Sequence, residues 1–488
     1  MKVKSILLEH LYEKIFFHKY YPGVLLSLFF LVAAFYFLTW PIVGYDTDLW
    51  YHLSGGRYFW QNGAIARDAF FSYIQPAKDW YNYYWLFQVI VYKVFQWSGY
   101  YGLIVLRCLL YLATIFFLYL FFTKQRENRA ELIGGLFLFA SCALLILHRE
   151  LLVRPHLFSY FFIVVFLYIL EYKQKKIWLL PVLGILWANI HGIEYPVMFL
   201  IVFAYLAEYY YHQLRKTGRC PQLGKKDKWL LIAVFYTVFA TPQIIKLIQI
   251  PFDVSFQNAA YQYLYVQELL KISLSKFFIF APFTVNGLIN SLQNIVILLA
   301  AICFFVNLWK KQLRISHGLI FICALFLLTT HTRFTYEFTL LSLPLLQRGL
   351  RPLARNIPSP RRLAPVFLLV IVAVPVFVFS NVFSNRPAYP LAITNLPTGV
   401  VGFLNRQATG GKILNETNTG GYLPWELKAQ FKIFMDMQMA VFSDLDFATA
   451  SKAFTDANVF QSFLRKYEPS FISVSLNRPY FKKIIAAK

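Results

Sequence analysis

Charge is what this sequence has least of. Only 14% of its 488 residues are Asp, Glu, Lys or Arg, and 58% are hydrophobic, where ordinary globular chains carry roughly a quarter charged. A soluble chain of this length would divide into two or three domains. Instead, apolar runs such as 25–38 and 103–122 recur between short charged clusters. Several approach the roughly 20 residues that cross hydrocarbon at 1.5 Å per residue. Cysteine is scarce too: Cys108, Cys142, Cys220, Cys303 and Cys323 fall in apolar stretches or a basic loop. None lies beyond residue 381, which argues against a disulfide framework. A cleavable signal peptide is not evident, because the first apolar run begins near Tyr21 and is long enough to span. Internal repeats, low-complexity tracts and disordered linkers are also missing.

What is present is a strong positive balance, +24. In a soluble protein this would suggest nucleic acid; in a membrane protein it follows from the positive-inside rule, which location can test. The apolar runs predict eleven spans, at about 22–40, 102–122, 132–147, 157–170, 177–190, 196–211, 229–245, 288–308, 317–330, 334–347 and 363–380. With the N-terminus in the cytoplasm, 24 of the 47 Lys and Arg residues fall in short cytoplasmic segments. Among them are Lys2, Lys4, Lys14 and Lys19, the Lys124–Arg129 cluster, Arg314 and Arg348. The bias orients the chain and removes the need for a nucleic-acid partner. Residues 84–97 are apolar but only about 14 long, and are expected as an interfacial or re-entrant helix. Counting them as a span would reverse every later loop.

The inward loops are basic and otherwise bland. Across the membrane, the outer ends collect Asp46, Asp48 and His52; His148, Arg149, Glu150, Arg154 and His156; His191 and Glu194; Glu268; His331 and Arg333. Ionisable groups at the ends of a bundle are costly to desolvate and by default mark a functional cavity. Asp46 and Asp48 serve equally as a helix cap, a divalent-cation site or a base. Arg149 and Arg154 suit phosphate, whose oxygens match the planar guanidinium fork. His191-Gly192 has the form of a helix end, and Glu337 is one turn from Arg333.

Beyond residue 381 the composition changes, with Gly410-Gly411, Gly420-Gly421 and mixed charge. Strand-like runs at 412–414, 431–434 and 471–474 and a helix-like stretch near 456–466 predict a small α/β domain, 382–488, on the outer side. It follows a membrane domain, 1–381, with a large first outer loop, 41–101. The expected fold class is thus an all-α polytopic bundle of about eleven helices with a C-terminal α/β soluble domain.

Together these motifs resemble the GT-C superfamily of membrane glycosyltransferases, most closely its prokaryotic members of unassigned substrate. The resemblance rests on Asp46-Thr47-Asp48-Leu49-Trp50-Tyr51-His52 with Gly56-Arg57, and on Trp80 and Trp85 closing the first loop. It extends to Arg154-Pro155-His156, to Trp187-Ala188-Asn189-Ile190-His191-Gly192, and to Gly420-Gly421-Tyr422-Leu423 followed by Asp436. A WWD-type acceptor motif is absent, which argues against protein N-glycosylation. The resemblance implies inverting transfer of a sugar from a polyprenyl-phosphate donor to a glycan, lipid or protein acceptor at the outer face of a prokaryotic cytoplasmic membrane. Asp46 is then the leading base or metal ligand, with Asp48 and Glu150 as catalytic partners. Asp46, Asp48 and His148 would hold Mg²⁺ or Mn²⁺ if one is needed. His52, Arg57, Arg149, Arg154, His156, His191 and Arg333 would bind substrate, Arg154 and Arg333 taking the departing phosphate.

Three other readings compete. A transporter or flippase for lipid-linked substrates needs charges at mid-membrane and often repeats; here the charges gather at one face. An O-antigen polymerase or ligase usually carries its key residues in a later outer loop. A non-catalytic assembly protein on the same fold keeps the carboxylates without the chemistry.

Overall fold

The computed structural model describes residues 21–43, 46–76, 80–124, 129–215, 224–257, 271–280, 284–355 and 387–475. The N-terminal lysines, Cys220, Glu268 and the span expected at 363–380 lie outside the described residues.

Helix α1 (Tyr21–Thr39) leads into strand β1 (Ile42–Val43) and helix α2 (Thr47–Asn62). A loop then passes through Trp80 to α3 (Trp85–Thr123), whose 39 residues form two limbs joined at Gly99. There φ is 58° and ψ −147°, a conformation only glycine adopts without strain. The short helix expected at 84–97 and the longer one expected at 102–122 are the two limbs.

The chain continues through α4 (Arg129–Glu150), α5 (His156–Tyr172), α6 (Leu179–Ile190), α7 (Tyr195–Leu214), α8 (Lys225–Phe235) and α9 (Lys246–Gln257). It then forms α10 (Val285–Trp309), α11 (Ile315–Thr330), α12 (Thr335–Leu341) and α13 (Leu343–Arg355). Among the described residues, three stretches, Trp85–Thr123, Gly192–Leu214 and Gly287–Trp309, are long and apolar enough to cross a membrane. Four shorter apolar helices, Leu26–Thr39, His156–Tyr172, Leu179–Ile190 and Ile315–Thr330, accompany them. The expected count of eleven spans is therefore corrected downward. The reason is length: the 11 residues of α8 reach about 16 Å against a hydrocarbon core of about 30 Å. Likewise, the span expected at 334–347 is broken into α12 and α13 at Ser342.

The last described segment holds β2 (Leu391–Ala392), α14 (Thr398–Leu404), β3 (Gly411–Asn415), α15 (Tyr422–Glu426), β4 (Phe431–Ile433), α16 (Asp444–Ala453), α17 (Ala457–Tyr467) and β5 (Phe471–Ser473). Strands β3, β4 and β5 lie where the sequence pattern put them. They form a parallel sheet in the order β4-β3-β5, with Ile413 opposite both Ile433 and Phe471. Parallel neighbours need helical crossovers, and α15 to α17 supply them. Ser443 and Asp446 form a reciprocal cap on α16, and Asp456 caps α17. This unit does not stand apart from the first loop. Ile433 N donates to Phe71 O at 3.0 Å and Tyr73 N to Ile433 O at 3.1 Å, so the loop extends the sheet. Strand β1 pairs in parallel with β2, a second stitch.

At the end of the helices where α5 finishes, a buried ion network joins α5, α7 and α11. Arg314 donates to both oxygens of Glu208, at 2.9 and 2.6 Å, and to Glu171 at 2.8 Å. Tyr205, Ser316 and His317 donate to the same two carboxylates at 2.7, 2.8 and 3.1 Å. This loop region is therefore not bland: its arginine is structural, and six side chains from three helices converge there.

Candidate functional site

The opposite end of the same helices carries the candidate site, and a buried arginine sets it up. Arg107, in the middle of α3, is sealed from solvent. It donates to Leu151 O at 2.8 Å, to Pro41 O at 3.3 Å, to Phe37 O at 3.2 Å and to Trp40 O. The last turn of α1 leaves carbonyls without helical partners, and Arg107 satisfies them while holding the chain just after Glu150. It thereby brings residue 46 beside residue 154. A lone arginine inside the apolar run 103–122 was the available signal for it.

Asp46 occupies the N-cap position of α2 but its side chain makes no capping bond. Instead Arg154 Nε and Nη2 both reach Asp46 Oδ1 at 2.8 Å, and Arg154 Nη1 reaches Asp48 Oδ2 at 2.8 Å. One guanidinium thus bridges the two carboxylates of the first-loop motif. Their exposures differ: Asp46 is 2% exposed, while Asp48 and Arg154 are each 21% exposed. Burial pushes the Asp46 carboxyl up, and the Arg154 guanidinium opposes that shift. His52, one turn along α2, is buried between the rings of Tyr84 and Phe87, centroids 4.8 Å away in each case. Burial holds it well below the ordinary histidine range, and its Nδ1 makes no hydrogen bond among the described residues.

A second group lies behind the first. Trp187 Nε1 donates to Ser159 Oγ at 2.9 Å, and Ser159 stands 2.7 Å from His191 Nδ1. Ser159 thereby links the Trp187 indole to the His191 imidazole. His156 Nε2 donates to Arg149 O at 2.9 Å, so its tautomer is set. Arg149 and Arg333 lie within electrostatic reach of His191 and Glu194. Arg149 also reaches Asp46, and both Asp48 and Arg333 lie within electrostatic reach of Tyr83. The Trp187–Gly192 motif holds the first loop in place: Asn189 accepts from Trp85 at 2.9 Å, and Gly192 N donates to Tyr83 O at 2.8 Å. A Cβ at residue 192 would stand 3.0 Å from Tyr83 O and 2.8 Å from Leu247, so the close approach requires glycine.

The C-terminal unit adds a carboxyl that the sequence reading quoted without assigning a role. Asp436 is buried and accepts from Gln438 N at 3.0 Å and Gln438 Nε2 at 2.6 Å. Burial pushes it up to about 7, against the pull of those bonds, and Asp48 lies within electrostatic reach. Asp436, Ser54, Trp80, Gly420 and Gly421 line a seam between α2 and the C-terminal unit, too narrow to admit water as it stands.

Other expected site residues fall elsewhere. Arg57 stacks on Trp425, 3.7 Å from the ring centroid, and donates to Trp425 O at 2.8 Å. It latches α2 to α15. Glu150 is fully buried, and neither of its oxygens has a hydrogen-bond partner among the described residues. His148 is exposed. Among the described residues no three His, Cys, Asp or Glu side chains gather as a metal shell. The guanidinium of Arg154 supplies the positive charge between the two carboxylates.

A scan against protein-family models finds no match to this chain, and a search of curated proteins finds none either.

Proposed function

We propose that this chain is an inverting membrane glycosyltransferase of the GT-C type, using a polyprenyl-phosphate-linked sugar as donor. The single observation that carries the reading is the Asp46–Arg154–Asp48 bridge at the polar end of a bundle of apolar helices. Sugar transfer to a hydroxyl needs a carboxylate within reach of the acceptor and fixed positive charge where phosphate departs. Asp48 is the more exposed carboxylate and takes the role of base; Asp46, buried under two bonds from Arg154, orients it. In the step, Asp48 accepts the acceptor hydroxyl proton as its oxygen bonds the anomeric carbon. The anomeric carbon–phosphate oxygen bond breaks from the opposite face, and its electron pair stays on the phosphate, opposite Arg333. The reading includes the orientation expected from the charge bias: N-terminus cytoplasmic and residues 382–488 extracytoplasmic.

One observation favours a second reading. Arg154 engages both carboxylates at once, which suits a non-catalytic assembly protein that has kept the fold.

The test uses purified protein in lipid with radiolabelled polyprenyl-phosphate sugars, with and without Mg²⁺ or Mn²⁺. Asp48→Asn is expected to lower donor consumption by about 10²–10⁴-fold, the usual worth of a positioned base. Asp46→Asn lowers it too, by losing the orientation of Arg154. Consumption unchanged in both variants would sink the reading, and a normal fold with donor bound but never consumed would favour the assembly protein.

A further inference from the structure

Beyond the end of α2 the first loop forms a pocket of about 550 Å³, within the roughly 300–1,000 Å³ of small-molecule sites. Gly63 caps the helix there with φ 65°, in the left-handed region where glycine is unstrained, and the chain turns to make the rim. The rings of Tyr58, Phe59 and Trp85 line the pocket together with Arg67 and Asp68. Arg67 and Asp68 are exposed and make no hydrogen bond or ion pair among the described residues. They are the only charged residues of the lining and they cancel, so the pocket selects neither an anion nor a cation. It offers a donor fork, an acceptor carboxylate and flat apolar rings. A sugar matches all three, with hydroxyls that both donate and accept and ring faces made of C–H groups.

The pocket adjoins the seam beside the Asp46–Arg154–Asp48 bridge. Tyr58 lines the pocket and Phe70 the seam, and their ring centroids are 4.7 Å apart. Tyr51, Ser54 and Tyr58 fall on one face of α2 in successive turns, starting one turn after Asp48. Within the seam, Ser54 Oγ, Trp80 Nε1 and Gln438 Oε1 are buried without hydrogen-bond partners among the described residues. Unmade bonds of buried groups are costly, and a ligand rich in hydroxyls would complete them. From Asp48 to Tyr58 is about 15 Å of helix, more than one sugar ring away from the proposed base.

We propose that the Arg67–Asp68 pocket is a distal subsite for an uncharged saccharide, holding sugar rings remote from the one whose hydroxyl reacts. Its part in transfer rests on the proposed function, and it narrows the acceptor to a glycan of more than one ring. The Arg67 fork donates to hydroxyl oxygens, Asp68 accepts from hydroxyl protons, and the aromatic rings take the C–H faces. Trp85 Nε1 donates to Asn189 at 2.9 Å, which fixes that ring in place before a ligand arrives.

The experiment measures, by fluorescence anisotropy, binding of labelled trisaccharides of glucose, galactose, mannose and N-acetylglucosamine to the full chain in amphipol. At least one is expected to bind saturably, and its monosaccharide at least tenfold more weakly. Asp68→Ala and Arg67→Ala, at exposed positions that leave folding intact, each weaken binding about tenfold. Arg406→Ala, exposed on the C-terminal unit, leaves it unchanged. Saturable binding absent for every trisaccharide, unchanged in either pocket variant, or equally weakened by Arg406→Ala would overturn the proposal. So would competition by dihexanoylphosphatidylcholine as strong as by the unlabelled trisaccharide, which would make the pocket a lipid-headgroup site. Asp48→Asn separates the two proposals, since it leaves saccharide binding intact. Binding without transfer counts against the reaction alone, and transfer whose acceptor KM is unmoved by Asp68→Ala counts against the pocket alone.

Discussion

The two ends of the bundle solve the same problem in opposite ways. Both bring acids and arginines into partly dry surroundings. At the Arg314 end, every named group is bonded: two carboxylates share one guanidinium, two hydroxyls and an imidazole. At the Arg154 end, the bridge is partly exposed and its neighbours are incompletely paired. His52 Nδ1, both oxygens of Glu150, one oxygen of Glu194 and Arg333 Nε have no hydrogen-bond partner among the described residues. A completed network rigidifies a core, while an incomplete one carries a standing cost. The first end joins α5, α7 and α11 with its charges satisfied, while the second keeps buried polar atoms without partners; under the proposed function that contrast separates a structural staple from a site.

The comparison is most easily broken at the Arg314 end. Arg314→Gln leaves Glu171 and Glu208 buried without a cation and is expected to cost about 4 kcal/mol, read as a fall in melting temperature in detergent. A loss no larger than that of Arg154→Gln would contradict the contrast. Asp436 comes next, with an effect on the order of 4 kcal/mol across its titration. Its folded carboxyl sits at about 7, so the folded state holds a proton that the unfolded chain has released above pH about 4. The contribution is therefore fully present below about pH 4, is lost as pH rises through 7, and is flat beyond. Asp436→Asn keeps one of the two acceptors for Gln438 and should flatten that part of the stability–pH curve; an unchanged difference curve would refute the assignment.

Smaller again is Gly421→Ala. Its Cβ would stand 2.6 Å from Thr47 O, a backbone atom that cannot swing aside. An expected cost of about 2 kcal/mol would show in melting, together with faster proteolysis at the seam. Arg154→Gln should cost less than Arg314→Gln, because it strands one buried carboxylate, Asp46, rather than two, yet it should abolish donor turnover. A large stability loss there would make Arg154 a second structural staple.

Much of the fold was legible in the order of residues. Apolar runs located the helices, and the strands at 411–415, 431–433 and 471–473 emerged from short apolar stretches between turn residues. Span count was not legible, because hydropathy windows blur a helix of full length with one of 11 residues followed by a turn, as at α8. For the site, the motifs around Asp46, Arg154 and His191 did converge on one end of the bundle. Their roles did not follow: Arg57 reads like a ligand residue until Trp425, hundreds of residues away, is seen beneath it. The Glu171–Glu208–Arg314 network escaped because its members are single charges in separate segments, each ordinary by itself.

The sequence by itself determined the solvent this chain prefers, since composition and run length decide what hydrocarbon will accept. It also determined which end of the helices collects charge, because alternating runs carry their flanking residues to alternate ends. Only the tertiary structure decided that one arginine locks Asp46 to Asp48 and that Asp436 approaches the same motif. Those pairings span large sequence separations, and the energy of a charge depends on what surrounds it rather than on its neighbours in the chain.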